Sequence, residues 1–279
     1  MGAHSGRFAV IDGVDTVESW SANILSAPQA YIASNTKGGT GRVPGVMDWN
    51  GSFNQRGGSP VHMPGDLFDF KGYTAPNTDI LGVDGAYYEG EAIIDQVQIT
   101  WNWTTGEPIA IVSNFSGNGE VEEGSDITTD VTDPAVLSPT GLRFTLGADE
   151  ESGSDDDLCT SQAQLTITAA NPSYVNSCTN NWTRRKAGPI DFSGSLTMHN
   201  DSGLALPFAI GDDVELWGYV SAAAYWILKW CHIDSFTGIT CNRAGEIITM
   251  TVPFSMNGFN PSAGQIRLPG AGSDWWPFV

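Results

Sequence analysis

The chain of 279 residues has few basic residues beside its many acidic ones. Lys and Arg total 12 against 32 Asp and Glu, which gives a net charge of −20 at pH 7. Nucleic-acid binders need basic patches that release counterions from phosphates, so this balance argues against a surface that grips nucleic acid. It favours high solubility or a surface that repels anions. The longest apolar run, residues 219–228, contains Ser221 and is too short to span a bilayer.

Cysteine is also scarce, and all four cysteines lie in the second half of the chain: Cys159, Cys178, Cys231 and Cys241. Their spacings match no zinc module. The N-terminal residues lack the cationic head and apolar stretch of a signal peptide, which predicts assembly in a reducing cytoplasm. We therefore expect unpaired, buried thiols, with a Cys231–Cys241 bridge as the alternative.

No set of residues has the pattern of a catalytic, cofactor-binding or metal site. The four histidines are scattered, and His232 follows Cys231 directly, where neighbouring strand residues point to opposite faces. Carboxylate pairs such as Asp212–Asp213 are expected from composition alone. The acidic cluster at 149–157 lacks the alternating ligands and the turn glycine of a calcium loop. The sequence predicts a protein that is not an enzyme and holds no cofactor.

Glycine, tryptophan and β-branched residues are frequent, and one pattern of them occurs twice. The stretch GDLFDFKGY at 65–73 returns as GDDVELWGY at 211–219. Flanking segments match at nearby offsets: DWNGSF at 48–53 with DFSGSL at 191–196, and residues 106–119 with 245–258. The offset of 143 also carries Tyr31 onto Tyr174 and Arg42 onto Arg185, while Phe8 aligns with Phe144 at 136. The sequence predicts a tandem duplication.

Within each copy the periodicity is that of strands. Phe68 and Phe70 alternate with polar neighbours, and residues 92–103 alternate Ile94, Gln96 and Gln98 against Val97, Ile99 and Trp101 before a turn at TTGEP. These patterns predict an all-β protein with few short helices, built as two tandem β-sandwich or barrel domains.

The repeated Gly and Asp residues have the composition of turns. Gly supplies positive φ and Asp accepts backbone N–H bonds, so we expect Gly65 and Gly72 at turns or bulges and Asp66 as a cap. The positions that we take as the signature of the repeat are Asp48, Gly51, Gly65, Asp66, Gly72, Tyr73, Asp191, Gly194, Gly211, Asp212, Gly218 and Tyr219.

Charge and repeat together divide the chain. Residues 122–158 hold 11 of the 32 acidic residues and one base, Arg143. We predict a first β-domain at 5–121, an acidic linker at 122–138, a second β-domain at 139–260 with an acidic loop at 147–158, and a C-terminal extension at 261–279.

The order of segments in the first copy resembles one protein family. It reads GRFAVIDG, VESWSANI, GRVPGVMDWNGSF, PGDLFDFKGY and then a hairpin ending in NFSGNGEV. This order is similar to that of the major tail tube proteins of long-tailed bacteriophages, which are related in fold to the type VI secretion tube. Those proteins open with a short Gly-Arg strand, reach a Ser-Trp strand like Ser19-Trp20 and close on an F-x-G-x-G strand like Phe115, Gly117 and Gly119. The second copy departs, with Gln164 near the expected tryptophan and SMNG in place of SGNG.

The resemblance implies β-sandwiches whose strands join those of neighbours in rings that stack into a hollow tube. A duplicated member would close the ring as a homotrimer with pseudo-sixfold symmetry, assembled in the host cytoplasm and located in the virion tail. Its partners would be further copies of itself and the tape measure, tail terminator and distal tail proteins. Genome DNA would pass through without specific binding, and no membrane would be involved.

An anionic bore repels phosphates, which gives the negative charge a role in such a tube. Candidate acids of that wall are Asp69, Asp95, Glu215 and Asp234. The aromatic C-terminus supplies candidate assembly anchors in Trp275, Trp276 and Phe278. Two other functions fit the composition: a carbohydrate- or receptor-binding β-sandwich of a phage fibre, and a trimeric capsid decoration protein.

Overall fold

The computed structural model describes residues 3–6, 8–11, 17–33, 37, 39–57, 59–73, 84–127, 144–146, 156–200, 206–221, 224–240, 248–257 and 266–267. Within these residues the chain forms nineteen strands and no helix. The strands of the first copy are β1 (Ala3–Gly6), β2 (Phe8–Ile11), β3 (Val17–Tyr31), β4 (Gly41–Arg56), β5 (Leu67–Tyr73), β6 (Asp84–Asn102), β7 (Ala110–Gly117) and β8 (Glu122–Ile127).

The second copy follows with eleven further strands. They are β9 (Phe144–Leu146), β10 (Asp156–Leu158), β11 (Thr160–Ala169), β12 (Ser173–Tyr174), β13 (Arg184–Arg185), β14 (Ile190–Asn200), β15 (Asp213–Ser221), β16 (Ala224–Ile233), β17 (Thr237–Thr240), β18 (Ile248–Met256) and β19 (Ile266–Arg267). The predicted all-β fold is confirmed.

In the first copy the strand pairings form a closed circuit. The antiparallel order is β3–β4–β7–β6–β5–β2, and β1, which immediately precedes β2 in the chain, pairs back onto β3. Two faces of this circuit meet on an aromatic core. Trp49, Phe70 and Phe115 are each 1% exposed or less, with ring centroids 5.0 to 5.9 Å apart. Such rings contribute edge and offset contacts beyond their buried area.

The second copy repeats this strand order with corresponding strands, but the edge of β11 that corresponds to the β1-paired edge of β3 pairs with β6. Its order is β11–β14–β18–β16–β15–β9–β10, and β10 is separated from β11 by one residue. The strand register is the same in both copies at the level of single residues. Gly51 pairs with Phe115 in the first copy, and Gly194 pairs with Phe254 in the second. Each glycine lies under that phenylalanine ring, and a Cβ on Gly51 would be 2.1 Å from the carbonyl oxygen of Ser21.

The turn before β5 and its counterpart before β15 confirm the predicted role of the Gly-Asp pair. Gly65 and Gly211 have φ of 95° and 91°. Asp66 accepts the backbone N–H of Met63 at 2.8 Å, and Asp212 accepts that of Ala209 at 2.7 Å. Both copies therefore contain the same turn, in which a positive-φ glycine and a capping aspartate set the start of the following strand.

Other sequence predictions need correction. Gly72 lies inside β5, not at a turn or bulge, and a Cβ there would meet the rings of Trp20 and Phe70 at 2.7 to 2.8 Å. Phe8 pairs with Tyr73, whereas Phe144 pairs with Gly218, so the predicted Phe8–Phe144 alignment is off by one residue.

The predicted alternation at the start of β6 is also wrong. Ile94 is fully buried on the same side as Val97, because Asp95 is an extra residue between the pairs Ile94–Phe115 and Gln96–Asn114. A bulge of this kind turns the following side chains to the other face. The hairpin predicted from TTGEP is confirmed, with Gly106 at φ 66°.

The two copies extend further than the sequence indicates. Residues 122–127, placed by the sequence in the linker, form β8 on the edge of β6 beyond the end of β7. In the second copy β19, placed in the C-terminal extension, pairs with β16 in the same manner, and Ile266 is fully buried. Residues 156–158 of the predicted acidic loop form β10. These segments pair because β6, β16 and β9 each have an edge with unpaired backbone groups that a further strand can satisfy.

Candidate assembly interface

The two copies are joined by continuation of one sheet into the next. The C-terminal half of β6 pairs with β7 on one edge and with β11 of the second copy on the other, from Gln162–Asn102 to Thr168–Gln96. The backbone N–H of Trp103 adds a bond to the carbonyl of Ser161 at 3.0 Å. Backbone pairing of this extent makes the joint part of the fold.

A second contact comes from the segment between β11 and β14, residues 171–188, which we call the second arm. It contains the strand pair β12–β13 and lies against the first copy. The backbone N–H of Met47 donates to the carbonyl of Asn181 at 2.8 Å, and that of Thr183 donates to Met47 at 3.0 Å. Between these two bonds, Trp182 is only 6% exposed.

The strongest polar contact of the second arm is a paired, two-point hydrogen bond. Arg185 of the second copy donates from Nη1 to Oδ1 of Asp48 at 2.9 Å and from Nη2 to Oδ2 at 2.6 Å. Nη1 also donates to the carbonyl of Gly117. The Arg185 side chain is 11% exposed and that of Asp48 31%, so the pair is only partly screened by water. Bidentate contacts of this kind fix geometry as well as contributing energy.

Arg184 and its neighbours complete this contact. Arg184 donates to the carbonyl of Asn118 at 2.6 Å and forms an exposed ion pair with Glu91 at 3.5 Å. The backbone N–H of Arg185 donates to the side chain of Asn118 at 2.7 Å, and Asn171 donates to Asp95 at 2.9 Å. The second arm thus contacts β4, β6 and the end of β7 together.

The surfaces that correspond to this joint at the two ends of the molecule are unlike each other. Strand β17 corresponds to the C-terminal half of β6, since Thr237 pairs with Thr251 as Gln98 pairs with Val112, both at the offset of 139. In the part of the chain that the structure describes, β17 pairs only with β18, and all four of its residues are exposed. Its other edge is the edge that β6 uses to hold β11.

The complementary edge lies on β3. Residues Ala163–Thr166 of β11 pair with β6, and the corresponding residues of β3, Trp20–Asn23, pair instead with β1. The short N-terminal strand thus occupies the place on the first copy that a neighbouring domain occupies on the second.

Residues 28–45, which we call the first arm, occupy the position in the first copy that the second arm occupies in the second. Ala30 pairs with Arg42 in the first arm, and Ser173 pairs with Arg185 in the second, all at the offset of 143. Exposed apolar residues concentrate on the first arm and the adjoining parts of β3 and β4: Leu25, Tyr31, Ile32, Val43 and Val46 are 41 to 72% exposed. An exposed apolar patch of this kind marks a contact surface.

The four acids proposed from sequence lie at two pairs of corresponding positions. Asp69 and Glu215 correspond on β5 and β15. Asp95 and Asp234 correspond because each directly follows an isoleucine, Ile94 or Ile233, that pairs with the phenylalanine of the next strand. Asp95 accepts from Ser116, and Asp234 accepts from Ser255 at 2.8 Å. Glu215 accepts from the indole N–H of Trp217 at 2.6 Å. Three of them therefore have local structural partners.

Asp69 lies in an acidic groove beside β5 and β6. The groove is also lined by Glu89, Glu91, Glu120 and Glu122, and Lys71 is the one cation among the described residues that line it. Lys71 lies 3.5 Å from Glu89 and 3.8 Å from the centre of the Tyr87 ring, where the ring also attracts its charge. The remaining carboxylates give this surface a negative potential that repels anions.

The cysteine and histidine expectations have mixed outcomes. Cys231 is a buried free thiol as predicted, and burial raises its pKa well above the ordinary value. Cys159 and Cys178 are free but exposed, so the expectation of buried thiols is wrong for them; Cys241 lies outside the described residues.

His232 points away from Cys231 and contacts Asp213 at 2.9 Å. Hydrogen bonds from Asn257 and then His232 lower the pKa of Asp213.

The signature residues have structural roles, and the Asp48 side chain binds Arg185 of the other copy. Tyr73 and Tyr219 contact the corresponding rings of Tyr87 and Tyr225, with ring centres 5.8 and 5.2 Å apart.

Trp275, Trp276 and Phe278, the proposed anchors, lie outside the described residues. The sequence alignment of Arg42 with Arg185 was the available signal for the arm contact, but no local pattern indicated that Asp48 was its partner.

No protein-family model matches the chain, and a search of curated proteins finds no significant match. Among the described residues, no helix is long and apolar enough to cross a membrane.

Proposed function

We propose that this chain is a structural virion protein that closes into rings and stacks into the tail tube of a bacteriophage. The observation that carries the proposal is the joint between the two copies. It connects unlike surfaces, the outer edge of β6 and the edge of β11, and it leaves the corresponding β17 and β3 edges at opposite ends of the molecule. A contact between unlike surfaces can be repeated from molecule to molecule.

Repetition of this contact would place β17 of one molecule against β3 of the next, where it would take the place of β1. Each molecule would then contribute two similar domains to a continuous sheet, as the two copies already do within the chain. Three molecules would give six domains, and closure at three explains why a duplicated chain suits a ring of pseudo-sixfold symmetry. Ring closure also covers the outer edge of β17, and an exposed strand edge otherwise invites uncontrolled aggregation.

The charge supports the role of a conduit. The net charge of −20 and the acidic groove around Asp69 disfavour binding of phosphates. DNA in such a bore would slide because no basic patch holds it. Assembly with the tape measure, tail terminator and distal tail proteins in the host cytoplasm completes the proposed role.

Sedimentation velocity at increasing protein concentration tests this function. We expect species that grow from monomer to trimer to larger stacks. A monomer that persists up to the highest accessible concentration and is retained on a carbohydrate column would support a receptor-binding module instead. A trimer that never grows and binds capsids would support a decoration protein.

A further inference from the structure

We propose that the first arm of one molecule docks on the second copy of a neighbouring molecule through a bidentate contact between Arg42 and Asp191. The inference rests on the proposed head-to-tail association and names the side chains that specify it.

The two partners correspond to the pair already formed within the chain. Arg42 occupies the position of Arg185, because each pairs with the residue that the offset of 143 requires. Asp191 occupies the position of Asp48: Leu25 pairs with Asp48 and Thr168 with Asp191 at the same offset. The backbone that carries each residue thus has the same register in both copies.

The two arms also share a close backbone approach at corresponding glycines. Gly45 and Gly188 pack so closely on the opposite strand that a Cβ would lie 1.6 and 1.7 Å from the carbonyl oxygens of Ala27 and Ala170. Thr40 of the first arm aligns at the offset of 143 with Thr183 of the second arm, which donates to Met47. The first arm is therefore shaped to make the contact that the second arm makes.

Arg42 and Asp191 are both exposed and carry no ion pair among the described residues. Their counterparts Arg185 and Asp48 are held together at 2.6 Å. An arginine fork and a carboxylate in matching positions, both left in solvent, are complementary to each other on a second molecule.

The ion pair next to Arg185 has no charged counterpart on the two exposed surfaces. Arg184 pairs with Glu91 inside the chain. The residue corresponding to Arg184 is Gly41, and the residue corresponding to Glu91 is Trp230, which is 45% exposed. Both charges are absent together, so neither a lone cation nor a lone anion would be buried. Trp230 instead offers an apolar surface to an arm that exposes Tyr31 and Val43.

Charge reversal tests the pair. Arg42→Asp and Asp191→Arg should each weaken association by about 30-fold or more in sedimentation velocity, because each brings like charges together at a partly buried contact. The double variant Arg42→Asp/Asp191→Arg restores opposite charges at every contact and should recover association to within about threefold of the natural protein. Melting temperatures of the monomers should stay unchanged, since both side chains are exposed.

An equimolar mixture of the two single variants gives a sharper result. Contacts between unlike variants have opposite charges in both directions, so heterodimers should form where neither variant associates alone. A ring of three cannot alternate two kinds of molecule, so these dimers should not close into trimers.

The outcomes separate the two proposals. If the natural protein associates and both single variants associate equally well, the Arg42–Asp191 contact is wrong and the proposed function stands. If the double variant fails to recover, the two side chains are not partners. If the natural protein remains monomeric at all concentrations, both proposals are wrong.

Discussion

Arg185 and Asp48 belong to different copies of a duplicated domain and are joined by two parallel hydrogen bonds of 2.9 and 2.6 Å. Their counterparts, Arg42 and Asp191, are exposed at separate surfaces of the same molecule. One copy of the contact is thus formed within the chain, and the arginine and carboxylate of the other copy remain exposed. This relation connects the fold to the proposed assembly.

Arg185→Ala should lower the free energy of unfolding by about 2 kcal/mol, because it leaves the Asp48 carboxylate without its charged partner at a partly buried site. Arg185→Lys should recover little, since an ammonium cannot make the parallel pair of bonds. Urea denaturation measures both changes. The matched control is Arg42→Ala, for which we expect a change within about 0.5 kcal/mol; equal losses at both arginines would contradict the structural difference between the arms.

Asp66→Ala and Asp212→Ala should each cost about 1 kcal/mol, because each removes a carboxylate that accepts a backbone N–H in the turn before a central strand. Thermal denaturation of the two variants should give similar shifts, since the two turns have the same geometry. Asp69→Ala, on the exposed face of β5, is the control. A loss at Asp66 without one at Asp212 would show that the turns are not energetically equivalent.

These turns are the part of the fold that the sequence predicted best, because their chemistry is local. Gly65 has a positive φ and Asp66 accepts a backbone N–H three residues before it, and the sequence at 65–73 is enough to predict both. The alternation of Phe68 and Phe70 was equally local. Ile94 was misplaced because one extra residue, Asp95, reverses the alternation without any change in composition.

The joint between the copies could not be predicted in this way. Strands β6 and β11 pair across about 66 residues of sequence, and Asp48, the partner of Arg185, lies 137 residues before it. Neither contact is visible in a local pattern. The outer ends of the copies were missed for a related reason: β8 and β19 have no strong pattern of their own and form because β6 and β16 present open edges.

Iodoacetamide at pH 8 should label Cys159 and Cys178 in the native protein and leave Cys231 unmodified. The first two thiols are exposed, whereas Cys231 is fully buried and its raised pKa keeps it protonated. Peptide mapping by mass spectrometry distinguishes the sites. Labelling of Cys231 should appear only in urea; rapid native labelling would mean that the core around it opens readily.

Deleting residues 1–6 should lower the concentration needed for association by roughly tenfold, equivalent to about one net backbone hydrogen bond. The deletion removes β1 from the β3 edge and keeps β2, which pairs with β5. Light scattering across a concentration series measures the shift. An unchanged or higher concentration would mean that β1 does not compete with a neighbouring molecule.

The central claim is that the two copies fill adjacent, similar positions in one ring. Electron microscopy of the concentrated protein, with two-dimensional averages viewed down the ring axis, tests it most directly. We predict stacked rings with six lobes of density that repeat with threefold symmetry. Dispersed particles that never form rings, or rings whose lobes do not come in pairs, would contradict the account.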